Sequence, residues 1–265
     1  MSNLSYKCVA LDGITDPARV KRDGDYYWVC LGALNIFNSE GHFYDHASSL
    51  PAFDDATKFK RKMHGGNLYG EDNHPVWEGW MTEDQFLLRN EDIDTDRISC
   101  HIREIEFVPT DEVCNGHPVQ EIWGWVKPDR LRGEYLKAAL DNEHQNVCFS
   151  IRCWIREKWV GGQKFLMIDE VITFDWVTEP GVSKANKFYA EAGYEVGNER
   201  SLARESVSIN LTSNLAERVL ARECSEVTSG RRLATESYVS RRIKEICGTT
   251  EGVKVKSEGV FALDW

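Results

Sequence analysis

The sequence predicts an α+β fold in which antiparallel strands carry the core and a polar helical segment is appended on the C-terminal side. Three observations point that way. Two runs rich in β-branched and aromatic residues, 146–156 and 164–177, are joined by Gly161-Gly162, the pattern of a hairpin. Between strand signals lies a helical pattern from Arg130 to Leu140, with Leu131, Tyr135, Leu136 and Leu140 on one face. From about Ala190 the chain becomes polar, charged and rich in Ser, Glu and Arg. That change divides it into a main domain, 1–190, and a linker with helical appendage, 191–265.

In chain order, Lys7–Leu11 and Tyr26–Leu31 read as short strands, with a turn at Asp23-Gly24-Asp25. A turn at Asn38–Gly41 precedes His42-Phe43-Tyr44. Ser48 or Ser49 is a candidate cap for a helix from Pro51 to about Met63, stopped by Gly65-Gly66. A loop at 68–75 follows, then strands at 97–105 and 119–126. Glu179-Pro180-Gly181 ends the last strand of the main domain. Beyond a linker near 192–208, helical periodicity returns around Leu215–Cys224 and Leu233–Ile246.

At 265 residues and 42% hydrophobic, with nine Trp and nine Tyr, the chain has the material for a substantial core. A net charge of −11 argues against an extended phosphate-binding surface, so no nucleic-acid partner is expected. The opening Met-Ser-Asn-Leu-Ser-Tyr-Lys lacks an apolar signal region, and no run reaches membrane-spanning length. The expectation is a cytosolic chain without a membrane partner, its eight cysteines reduced. No CxxC pair occurs. Cys100-His101 with Cys114 and His117 comes nearest to a zinc cluster, but its spacing fits no common structural-zinc pattern. No metal or organic cofactor is expected, and a zinc-stabilised binding module stands as a rival reading.

Ser150 lies in the middle of the 146–156 strand, between Phe149 and Ile151. A hydroxyl held there is either a small strand residue or a nucleophile. Nucleophilic use needs a base to take its proton and a third group to fix that base's tautomer. His74, in a loop whose backbone is restricted by Pro75, and His101, on a strand, are both candidate bases. Asp175 stands inside the apolar run Val171–Val177, where a carboxylate needs a partner or solvent to explain it. Asp169 and Glu170 are rival acids nearer the hairpin.

The segment Gly70-Glu71-Asp72-Asn73-His74-Pro75 resembles the Gly-Glu-x-x-His-Pro element of tailed-bacteriophage prohead proteases, serine peptidases that mature the procapsid and share the herpesvirus assemblin fold. The order of elements is similar over about 35–185. Asn35 to Tyr44 mirrors a segment before the histidine loop, and Arg97-Ile98-Ser99 lies on a strand. The 130–140 helix, Ser150-Ile151-Arg152 and Thr173-Phe174-Asp175-Trp176-Val177 follow. The nucleophile region departs from the family's Gly-x-Ser-Ser-Arg-Gly, reading Cys148-Phe149-Ser150-Ile151-Arg152-Cys153. Ile98-Ser99-Cys100-His101 stands where some members have Ile-Ser-His, which keeps His101 as a rival base.

The resemblance implies a small, closed or nearly closed antiparallel β-barrel flanked by helices. It implies Ser150 as nucleophile, His74 as base and Asp175 as orienting acid; on chemical grounds alone, a backbone N–H or the Arg152 guanidinium would serve as donor to the oxyanion, since either stabilises developing negative charge. It also implies scaffold and major capsid proteins as substrates, inside the immature capsid in the host cytoplasm, with a homo-oligomer left open. Members of the family cut themselves after glutamate, commonly with a small or apolar residue two positions before, and Leu215-Ala216-Glu217, Cys224-Ser225-Glu226 and Ala234-Thr235-Glu236 match that pattern. A non-enzymatic capsid-assembly protein of the same fold is the other rival.

Overall fold

The structure, a computed structural model, describes residues 20–38, 41–188, 206–229, 236–247 and 259–264. The expected strand at Lys7–Leu11 and most of the 192–208 linker lie outside them. The first described elements are strands β1 (Lys21–Asp23), β2 (Tyr26–Leu34), β3 (Ile36–Phe37) and β4 (Phe43–Tyr44). After α1 (His46–Ser49), the helix expected over 51–63 is split into a 3-10 turn at Leu50–Phe53 and α2 (Lys58–His64). The break has a local cause. Asp54 is extended, and Thr57 caps a new start by accepting the Lys60 N–H. Gly65 ends α2 as expected.

There follow β5 (Tyr69–Glu71), α3 (Glu83–Glu91), β6 (Ile98–Cys114), β7 (His117–Pro128), α4 (Arg130–Asp141), β8 (Cys148–Val160) and β9 (Gln163–Val177). The C-terminal part contributes β10 (Ser206–Leu211), α5 (Ser213–Thr228), α6 (Tyr238–Cys247) and β11 (Gly259–Asp264). Gly161 and Gly162 both have positive φ, +59° and +83°, so the β8–β9 turn uses the mirror-image geometry that tight hairpins favour. No helix among the described residues is long and apolar enough to cross a membrane.

The strands form two sheets, ordered β1-β2-β7-β6-β5 and β10-β11-β8-β9-β4-β3. All pairs are antiparallel except β4 with β9. The closed or nearly closed barrel is therefore not formed among the described residues. β5 and β9 approach along one seam, but only the isolated bridge Asp72–Trp176 and single side-chain bonds cross it, not a ladder. Three-residue β5 is too short to extend the pairing. The core between the sheets takes Val29, Leu31, Ile102 and Val126 from one and Phe149, Val171 and Phe174 from the other.

The C-terminal elements dock on this body. β11 pairs with β8 at Cys153–Ile155. Leu215, Ala216, Val219, Val239 and Ile243 of α5 and α6 form a second buried cluster with Phe86, Leu87 and Leu88 of α3, Trp154 of β8 and Ile172 of β9. Helices α5 and α6 thus bury the Phe86-Leu87-Leu88 segment of α3, an otherwise polar helix outside the sequence-based expectations. Its local signals are the capping box of Thr82 and Gln85 and the acidic Glu83 and Asp84 in the first turn.

Candidate active site

Asp175 is the centre of the site. Its Cα lies directly opposite Ser150 across the β8–β9 ladder, so both side chains leave the sheet on one face. Arg152, two residues along β8, shares that face with Ser150. The exposures are 0% for Asp175, 5% for Ser150 and 0% for Arg152.

His74 reaches this face because its loop is fastened to β9. Gly70 lies against β9 so closely that an added Cβ would come within 2.2 Å of the Phe174 carbonyl oxygen, so only glycine permits the approach. Thr173 Oγ1 donates to Tyr69 O at 2.6 Å, and Asn73 N donates to Trp176 O at 2.8 Å. Asn73 adopts positive φ (61°), which turns the chain before Pro75 restricts the His74 backbone. The result is a buried hydrogen bond of 2.7 Å between His74 Nδ1 and Asp175 Oδ2. With Nδ1 engaged by the carboxylate, Nε2 is the ring nitrogen that would receive a serine proton.

The opposite side of the carboxylate is held by other groups. Glu71 N–H donates to Oδ1 at 2.7 Å, and Arg152 Nη2 donates to Oδ1 at 3.1 Å. Arg152 Nε stands 2.9 Å from Oδ2. Burial pushes the Asp175 carboxyl up, but Arg152, the bond from His74 and the Glu71 N–H together outweigh it and hold the group below its ordinary value. Burial depresses His74, and Asp175 only partly offsets it. A buried imidazole that is neutral at neutral pH, oriented by an ionised carboxylate, has the chemistry of a general base.

The other sequence candidates fall elsewhere. His101 packs between Tyr26 and Tyr69, with Nδ1 at 3.0 Å from Tyr26 Oη and Nε2 at 3.1 Å from Gly66 O. Asp169 meets Arg156 and Tyr238, and Glu170 meets Arg241. Cys100-His101 and Cys114 with His117 occupy opposite ends of the β6–β7 hairpin, separated by about 40 Å of strand. They cannot share a metal ion. The guanidinium of Arg152, expected as an oxyanion donor, is directed at carboxylates and backbone carbonyls. Glu71 and Arg89 join this cluster without having been singled out. Glu71 stood inside the histidine motif, whereas Arg89 had no sequence signal.

The structure thus brings a buried Asp175–His74 pair to the sheet face that also carries Ser150. A family model for the Peptidase S80 family matches residues 6–246, and the chain belongs to that family. It is also similar to the capsid maturation protease of Pseudomonas phage phiKZ, at 35% identity over 172 residues. That alignment covers 63% of this chain and 62% of the relative, so the chain spans less than two thirds of the relative's length. No solved structure matches significantly.

Proposed function

We propose that the protein is a serine endopeptidase that cleaves scaffold and capsid proteins, and itself, during prohead maturation. One observation carries the chemistry: the buried 2.7 Å His74–Asp175 bond beside the position facing Ser150. Ser150 attacks the scissile carbonyl, His74 takes its proton and later gives it to the leaving amine. Asp175 holds the imidazole and stabilises its cation. Family membership and the phiKZ relative support the substrate class. The same order of histidine loop, helix, serine strand and acid strand supports a relationship to the assemblin fold, in an opened form.

For the oxyanion we assign the Ile151 N–H in preference to Arg152. Phe149 N–H donates to Ala185 O, away from β9. Alternation along the ladder directs the Ile151 N–H to the same edge, next to the nucleophile. A narrow apolar recess of about 20 Å³ adjoins Ser150 and Ile151 and is lined by Gly32, Ala33, Val182 and Ala185. It has room for no more than a small apolar substrate side chain. Among the self-cleavage candidates, Glu217 and Glu226 lie within α5, while exposed Glu236 precedes α6. Each site must open locally before it can be cut: Glu217 and Glu226 are helical, and after Glu236 the buried Ser237 N–H is held by Glu223.

The test is intact-mass spectrometry of wild type beside Ser150→Ala after incubation at neutral pH, with fluorophosphonate labelling in parallel. Wild type is expected to lose a C-terminal piece ending its retained part at glutamate and to be labelled at Ser150, while the variant stays whole and unlabelled. Equal trimming of both proteins, or wild type neither cut nor labelled, defeats the proposal.

A further inference from the structure

We propose that Arg152 and Glu71 are positioning residues: a buried chain of alternating charges, Asp175–Arg152–Glu71–Arg89, fixes the carboxylate that orients His74. The inference rests on the Ser150–His74–Asp175 reading and gives a role to charged groups that the reading leaves unused. Arg152 spans both carboxylate oxygens of Asp175, and its Nη2 also stands 3.3 Å from Glu71 Oε1. Arg89 grips Glu71 with a fork, Nη1 to Oε1 at 3.0 Å and Nη2 to Oε2 at 2.6 Å. The Asp94 N–H adds a bond to Glu71 Oε1 at 2.8 Å. Arg152, Glu71 and Asp175 are each 0% exposed.

Such an array is hard to explain by stability. Buried ion pairs are on balance no better than well-packed apolar side chains, whereas deleting one partner is costly. What the array supplies is geometry. Two cations, Arg152 and Arg89, balance two anions, Asp175 and Glu71, so the carboxylate stays ionised in a place where burial alone would protonate it. The Arg152 Nη2–H bond to Oδ1, with the guanidinium charge beside Oδ2, favours one orientation of the carboxylate, and the His74 ring follows. Glu71 does this twice, since its backbone N–H binds Asp175 while its side chain binds Arg152.

The array predicts opposite electrostatic effects on His74. The groups facing it are Asp175 from β9, Arg152 from β8 and Glu71 from β5. Arg97 stands 3.7 Å from Glu71 at the rim, Asp94 lies beside Arg89, and Asp72 of the loop faces Arg132 at 3.5 Å. Arg152 disfavours the imidazolium and Glu71 favours it. Neutralising Arg152 therefore moves the acid limb of reactivity to higher pH, and neutralising Glu71 moves it to lower pH.

The experiment measures the rate of fluorophosphonate labelling of Ser150 against pH, in the full chain, for wild type, Arg152→Met, Arg152→Lys and Glu71→Gln, with folding checked by circular dichroism. Wild type is expected to lose reactivity below a midpoint under 6.5, the ordinary histidine value. Arg152→Met should raise that midpoint and Glu71→Gln lower it, each by about half to one pH unit. Arg152→Lys keeps the charge but not the fork, so its midpoint should stay near wild type while its rate falls about tenfold or more. If Arg152→Met does not fold, Glu71→Gln with Arg152→Lys decides. Midpoints that do not move, or that move together, overturn the positioning role while leaving a labelled, pH-dependent wild type and the catalytic reading intact. A wild type that is unlabelled, or whose Ser150→Ala variant is labelled equally, overturns both.

Discussion

Two of the charge networks among the described residues differ in what surrounds them. The one at Asp175 is sealed: Arg152 and Glu71 are fully buried, and each charge meets another charge or a backbone group. The one beneath α5 and α6 lies at a seam between elements. There Arg222 and Arg218 meet Asp84, and Arg241 meets Glu170, with arginine side chains 33%, 41% and 47% exposed. At that seam, Glu91 accepts the backbone N–H groups of Tyr238 and Val239 at the start of α6. The comparison teaches that similar residue types do different work according to solvent. Sealed charges fix one geometry and tune a base, whereas half-exposed charges choose where helices dock and leave the binding energy to the apolar cluster of Phe86, Leu87, Leu215 and Val239.

The largest effect should come from Asp175→Asn. The amide cannot hold His74 in the required tautomer, so labelling of Ser150 should fall by roughly 10³ to 10⁴, the scale seen when a triad acid is lost. Arg152 then lacks its main anion, and denaturant unfolding should show a loss of about 3–5 kcal/mol. A variant that labelled at the wild-type rate would break the contrast at its catalytic end. Glu91→Gln is expected to cost less, about 1–3 kcal/mol, because the amide has one acceptor oxygen for two buried N–H groups and turns its NH2 toward the other. Its labelling rate should match wild type once folding is equal.

Smallest is Arg222→Ala, about 1 kcal/mol, because Arg222 is itself partly exposed and Arg218 still stands 3.4 Å from the buried Asp84 carboxylate. Burial raises the Asp84 carboxyl, but the bond from Arg222 and further hydrogen bonds outweigh it and leave the group below its ordinary value. The stabilisation therefore exists above the unfolded-state value, about 3.9, and fades as pH falls through the lower folded value. Thermal melts of wild type and Arg222→Ala should converge on acidification. A gap that stayed constant or widened would show that this seam behaves like the sealed network.

Legibility in the sequence followed the range of the interaction. The β8–β9 hairpin, α4 and the C-terminal end of α2 were readable because periodicity, Gly161-Gly162 and Gly65 act within a few residues. The split of the 51–63 helix was missed because the Thr57 cap competes with an otherwise continuous pattern. The C-terminal helices read as an appendage because their apolar partners, Phe86 to Leu88, Trp154 and Ile172, come from distant parts of the chain.

By itself the sequence determined the residue types with the right chemistry, Ser150 on a strand, His74 before a proline and a carboxylate at Asp175 in an apolar run, together with the family resemblance that joined them. Only the tertiary structure decided which histidine meets that carboxylate, that the strands divide into two sheets, and that Arg152 faces Asp175 and Glu71. The reason is physical. Local pattern fixes backbone period and therefore which face a side chain takes, but charge pairing between residues 71, 89, 152 and 175 depends on a seam that exists only after Gly70 lets β5 press against β9.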